Sequence, residues 1–242
     1  MQLLLLGRPD LMAPDSSIVE SVVSQPKRFG LLAYLAAARP YGFLRRDSLL
    51  ALFWPELSAA SARRALRQAL HFLRRTLGPN VLVCRGTEDI AVSPEAVSCD
   101  VRAFDRALSE GRFEQALSLY RGDLLDGFFV SGASQRLDQW LDRERALLRE
   151  RALFAAWALS DEQEARVDIT MAAHWARRAA DLHATNEHSI QRLIELLSRH
   201  GDRAGALRAY EAFARQLNAH YDVDPAPETT ALMQAVRETT RR

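Results

Sequence analysis

"SAASARRALRQALHFLRRTLG", residues 58–78, carries five arginines, a glutamine and a histidine, and not one carboxylate. With Leu66 set at zero and 100° per residue, Ala62, Ala69, Leu70, Leu73 and Leu77 fall within about 60° of it. Ala65 and Phe72 widen that apolar face on one flank. Arg63, Arg64, Arg67, His71, Arg74 and Arg75 occupy the arc from about 60° to 180°, with Gln68 just beyond. The pattern predicts a helix over 58–77, capped at Ser58 or Ser61 and stopped by "GPN", with one face on a core and the other wholly basic and polar. A solvated helix face usually mixes signs, because like charges four residues apart cost a few tenths of a kcal/mol each. Here Arg63 and Arg67 stand at that spacing, and no acidic residue lies between Glu56 and Glu88. A polyanion would supply the missing charge, which points to nucleic acid.

The surroundings define the type of element. Upstream, "LLLLG" (3–7) and "SIVESVV" (17–23) read as two strands joined by the turn "RPDLMAPDS". From Pro26 the period changes: Phe29, Leu31, Leu32, Leu35 and Ala36 form a helical stripe ended by "ARPYG". "RRDSLLALFW" is a second short helix with Leu49, Leu52 and Phe53 inward and Pro55 as its stop. Downstream of the arginine helix, "VLVCRGTEDIAV" (81–92) reads as a hairpin. Two strands, three helices with the third basic, and a hairpin after it make a winged helix-turn-helix over 1–94. In such a module the third helix enters the major groove and the hairpin reaches the neighbouring backbone or minor groove. Arg63, Arg64, Arg67, Gln68 and His71 are the candidates for base edges and backbone, and Arg74 and Arg75, late in the helix, for phosphate.

From Asp100 onward the pattern is helical only. Helices are expected at 134–159, 165–182, 187–200, 203–219 and 227–240, after a shorter pair in "VRAFDRALSEG" and "RFEQALSLYRG". "AAHWARRAADL" and "GALRAYEAFARQL" align at an offset of 34, Ala172 with Ala206 and Ala176 with Tyr210, which is the tetratricopeptide period. Trp140, Trp157 and Trp175 read as packing anchors between such helices. The predicted fold is mainly α: an N-terminal winged helix (α+β) over 1–94, then an all-α tetratricopeptide-like domain over 98–242.

Charge is distributed in the same way. Residues 1–94 hold 12 Lys+Arg against 7 Asp+Glu, and the remainder 20 against 24, within a formal net charge of +1. A basic front and an acidic back suit a nucleic-acid-facing part joined to something else. Lys27 is the only lysine, as GC-rich codon usage would favour. Two cysteines, Cys84 and Cys99, make no disulfide framework, and no apolar run is long enough to span a bilayer, so a cytoplasmic location is expected. The phosphate-binding pattern G-x-x-x-x-G-K-[ST] is absent, and the six histidines include no i, i+4 metal pair. Neither an enzyme, a cofactor nor a metal is expected.

Several phrases carry a family likeness. "PKRFGLLAYLAA", "RRDSLLALFWPE", "ASARRALRQALHFLRRTLG", "DVRAFDRAL", "ALSLYRGDLLDGF", "WLDRERALL", "GDRAGALRAYEAFARQL" and "YDVDPAPETTALM" occur in the order found in Streptomyces antibiotic regulatory protein-type transcriptional activators. The chain resembles that family from about residue 3 to 238, and "LYRGDLLDGF" and "YDVDPAPET" are its more specific phrases. The resemblance implies an OmpR-like winged helix followed by a bacterial transcriptional activation domain. It implies double-stranded promoter repeats as target, a homodimer or tandem pair on DNA, and recruitment of RNA polymerase with its sigma factor. It also implies polymerase contacts from the loop "WPELSAA", with Trp54 and Glu56 as candidates, and wing contacts from Arg85 and Thr87. From the residues themselves, Trp54 reads first as a core anchor at the helix end. The competing reading is a helical-repeat adaptor, or the regulatory front part of a longer multidomain regulator, whose winged helix is not used on DNA.

Overall fold

The apolar start of the chain forms β1 (Gln2–Leu4), and its partner returns sooner than the alternation suggested. β2 (Asp10–Met12) pairs antiparallel with β1, Leu3 opposite Leu11, inside the segment read as a turn. The cause lies in residues 13–17. Asp15 Oδ1 accepts from the N–H and the hydroxyl of Ser17, Ser16 N–H is donated to Ala13 O, and Ser16 adopts a φ of +66°. This side-chain-closed turn sends the chain back for a single bridge, Met12 with Ile18. The strand expected over 17–23 is therefore corrected to one bridge followed by a short helix, α1 (Glu20–Val23), which buries Val22.

A proline at the first position opens α2 (Pro26–Ala37), where its fixed φ suits the helix and its missing N–H has no partner to lose. Phe29, Leu31, Leu32, Leu35 and Ala36 are all buried along it. Gly30 lies mid-helix because a Cβ there would come within 2.9 Å of Val130 Cγ2, a close approach that outweighs about 1 kcal/mol of helix propensity. β3 (Leu44–Arg45) leads into α3 (Arg46–Phe53), with Leu49, Leu52 and Phe53 buried. The arginine helix is α4 (Ala59–Leu77). Ser58 caps it by accepting from Ser61 N–H, and Gly78 ends it at a φ of +105°. After a 3-10 turn, β4 (Leu82–Arg85) and β5 (Asp89–Val92) form the hairpin, Leu82 opposite Val92 and Arg85 opposite Asp89. β3 joins the other edge of β5. β6 (Ser98–Cys99) then runs parallel beside β1, so the two sheets have the orders β2-β1-β6 and β3-β5-β4.

Asp100 opens α5 (Asp100–Ser109) and ties it to the segment just after β1. Its buried carboxylate accepts from the N–H groups of Leu5 at 2.9 Å and Leu6 at 3.0 Å, and from Arg121 at 3.1 Å. Burial nevertheless raises its pKa above the ordinary carboxylate value. α6 (Phe113–Leu119) follows, then α7 (Gln135–Ala165), which runs six residues past the expected end at 159. In the added turns the Ser160 hydroxyl donates to Ala172 O at 3.0 Å. α8 (Ile169–Leu182), α9 (Glu187–Arg199), α10 (Arg203–Tyr221) and α11 (Pro227–Glu238) complete the chain. Asp168, Asn186 and Asp202 each cap a helix with a side-chain oxygen. Ala172, Ala176 and Ala206 are fully buried, as small residues at close helix approaches should be.

The computed structural model describes residues 1–238, so the expected helix end at 240 and the last residues of the 98–242 domain lie outside the described residues. By compactness the chain divides into Met1–Leu148 and Arg149–Arg242, a later boundary than 94–98. The first unit is held together by Arg39, which pairs with Asp105 of α5 at 2.7 Å and with Glu144 of α7, and by the Tyr34 and Trp140 rings 4.6 Å apart.

Candidate nucleic-acid interface

Why does a helix tolerate so many like charges? Ala62, Leu66, Ala69, Leu70, Leu73 and Leu77 are each 6% exposed or less. Fully burying Leu66, Leu70 and Leu73 contributes about 2 kcal/mol apiece, well above the few tenths each like-charge pair costs. The apolar stripe thus fixes the helix, and its opposite face is left to other work.

That face is open. Arg63, Arg64, Arg67, Gln68, His71 and Arg75 are exposed, and among the described residues none of them makes an ion pair or side-chain hydrogen bond. Arg74 differs. It is half-buried and donates from Nη2 to Cys84 Sγ at 3.0 Å, so it is tied to β4. Cys84 also receives Arg46 Nη2 at 3.3 Å.

The hairpin tip turns at Gly86, whose φ is +62°. Thr87 is exposed there. Arg85 is not a free cation: its guanidinium pairs with Asp89 at 2.8 Å and lies 4.7 Å from the Phe43 ring centroid. Glu88 pairs with Arg45 at 2.8 Å. In the loop after α3, Trp54 is only 8% exposed and packs beside Phe53 with the rings 6.0 Å apart, which suits a core anchor. Glu56 is exposed, 3.6 Å from Lys27 Nζ.

Two residues that the sequence reasoning passed over belong to the same surface. Arg45 and Arg46, at the start of α3, line a cleft of about 300 Å³ together with Arg63 and Arg67 of α4 and the carboxylates Asp47 and Glu88. The signal was present in "FLRRDS": two arginines opening a helix with one acid to answer them.

Cys99 is buried, and burial pushes its thiol up to about 12. Among the described residues no three His, Cys, Asp or Glu side chains gather as a metal site, and no helix is long and apolar enough to cross a membrane.

Comparison with known proteins adds the family. Residues 95–237 match the bacterial transcriptional activator domain. The chain belongs to that family. Its members are transcriptional regulators rather than an enzyme class, and a winged helix ahead of the activator domain is the order of Streptomyces antibiotic regulatory protein-type activators. The activator-domain match begins after β5, so α4 and the hairpin lie outside it. Among solved structures the chain is similar to Mycobacterium tuberculosis EmbR in complex with a low-affinity phosphopeptide, at 23% identity and a TM-score of 0.62. That likeness covers 98% of this chain but 65% of the EmbR chain, so this chain spans just under two thirds of the length of that one. No curated protein matches.

Proposed function

We propose that this activator binds double-stranded promoter repeats through α4 and the β4–β5 wing and recruits RNA polymerase with its sigma factor, in the cytoplasm. The observation that carries the reading is the open face of α4: five exposed side chains able to donate to bases or phosphates (Arg63, Arg64, Arg67, Gln68, Arg75), His71 beside them, and, among the described residues, no carboxylate paired to any. Arg67 and Gln68, in the middle of that face, reach base edges, where arginine to guanine and glutamine to adenine are favoured pairings. Arg63, Arg64, His71 and Arg75 meet backbone and fix the register. Arg74 acts from the wing side, held by Cys84, and Thr87 projects from the wing tip. Arg85 contributes only after its pair with Asp89 opens. Of the loop candidates for polymerase, Glu56 has the exposure that contact needs, whereas Trp54 serves as its buried support.

The division of labour follows chain order. Residues 1–94 select the promoter, and the helices of 98–242 offer surfaces to polymerase or to a second protomer bound at the neighbouring repeat. Gel shifts with genomic fragments from upstream of the chain's own operon test this: a discrete, competitor-resistant complex is expected. Retardation no stronger than with random duplex would overturn it in favour of an adaptor role.

A further inference from the structure

The cleft between α3, α4 and the wing holds four guanidiniums and two carboxylates, Asp47 and Glu88, a local excess of two positive charges. Its parts are held in place by backbone. Arg46 N–H donates to Glu88 O at 2.8 Å, and β3 pairs with β5 so that Arg45 stands opposite Asp89. The wing therefore cannot leave the start of α3 without breaking a ladder, and Glu88 is delivered to Arg45. Arg46 Nε is buried in the same place and, among the described residues, has no hydrogen-bond partner. Such a donor, beside three other arginines and a space of about 300 Å³, suits an anion with several acceptor oxygens.

We propose that this cleft seats one backbone phosphate of the duplex and that Glu88 is the phosphate's competitor. The inference rests on the DNA reading above and deepens it. In the free protein Glu88 Oε2 neutralises Arg45 at 2.8 Å. On the duplex a phosphate oxygen replaces that carboxylate on Arg45, while Arg46 and Arg63 close round it and Arg67 remains on the base edges. The exchange is easy because the Arg45 and Glu88 side chains are 64% and 71% exposed, and exposed ion pairs hold weakly. Glu88 thereby lowers affinity for every duplex at this seat, and binding depends more heavily on the base contacts of α4. Glu88 is in this sense a residue that sets overall affinity, for promoter and random duplex alike, without touching a DNA base.

The test is fluorescence anisotropy with two labelled duplexes, one carrying the bound promoter fragment and one of random sequence, on the full chain. Glu88→Gln should tighten both duplexes about two- to fivefold, the worth of an exposed ion pair. Arg45→Ala should weaken both and lower the salt slope by about 0.9, as loss of one phosphate contact does. In the Arg45→Ala background, Glu88→Gln should have no further effect. Glu110→Gln, which removes the same charge from an exposed pair with Arg112, serves as the control and should leave both affinities unchanged. All three replaced side chains are on the surface, so melting curves should stay with the parent.

If Glu88→Gln acts equally with and without Arg45, or no more than Glu110→Gln, the competition is overturned and only general charge remains. A parent chain that binds neither duplex in a salt-dependent manner would instead sink the DNA reading itself.

Discussion

Replacing Arg67 with alanine separates folding from binding more cleanly than any other single change on α4. Arg67 is exposed and, among the described residues, has no ion pair or side-chain hydrogen bond to lose. Its removal also relieves the repulsion with Arg63 one turn back and substitutes a better helix former, effects of a few tenths of a kcal/mol in the favourable direction. The midpoint of urea unfolding should therefore stay or rise slightly. Binding should move the other way. A bidentate arginine–guanine pair discriminates by about 1–3 kcal/mol, so affinity for the promoter fragment should fall about 5- to 150-fold. Affinity for random duplex should fall much less, because there Arg67 supplies only charge. Anisotropy titrations on both duplexes, with unfolding followed by circular dichroism, measure the two halves. Unchanged promoter affinity with unchanged stability would refute the assignment of this face to base readout.

Other outcomes follow from the same geometry. Leu73→Ala, at a position with no exposed surface in the α4 stripe, should cost about 2–5 kcal/mol in urea unfolding and weaken DNA binding only through loss of folded protein. Asp100→Ala leaves the N–H groups of Leu5 and Leu6 without their acceptor; the regained desolvation of the carboxylate offsets part of that loss, for a net cost of about 2 kcal/mol by the same measurement. In a thiol titration with Ellman's reagent at about pH 8, exposed Cys84 should react in the native chain, whereas Cys99, buried and raised to about 12, should react only after unfolding.

How much of this was written in the residue pattern depends on whether local sequence or distant contact decided the outcome. The stripes of α2 and α4 were legible because a 3.6-residue period survives any packing that buries one face. The hairpin around "RGTED" was legible from its two β-branched runs. The strand at 17–23 was misplaced because alternation cannot see a turn closed by Asp15 on Ser17. α7 continues beyond 159 to Ala165, where the Ser160 hydroxyl bonds Ala172 O, twelve residues on, a contact that no local pattern shows. Among the interface residues, the open face of α4 followed from helical geometry alone. The neutralisation of Arg85 by Asp89, the tether of Arg74 to Cys84 and the place of Arg45 and Arg46 beside α4 all depend on strand pairing. No periodicity in "FLRRDS" announces that it will face "RGTED" across a sheet.

The central claim is that a duplex supplies the charge that α4 lacks, and the salt dependence of promoter binding tests it most directly. With about five arginine–phosphate contacts, log K should fall with log[salt] at a slope of about −4 to −5. A slope near zero on a duplex that is still bound would contradict the account.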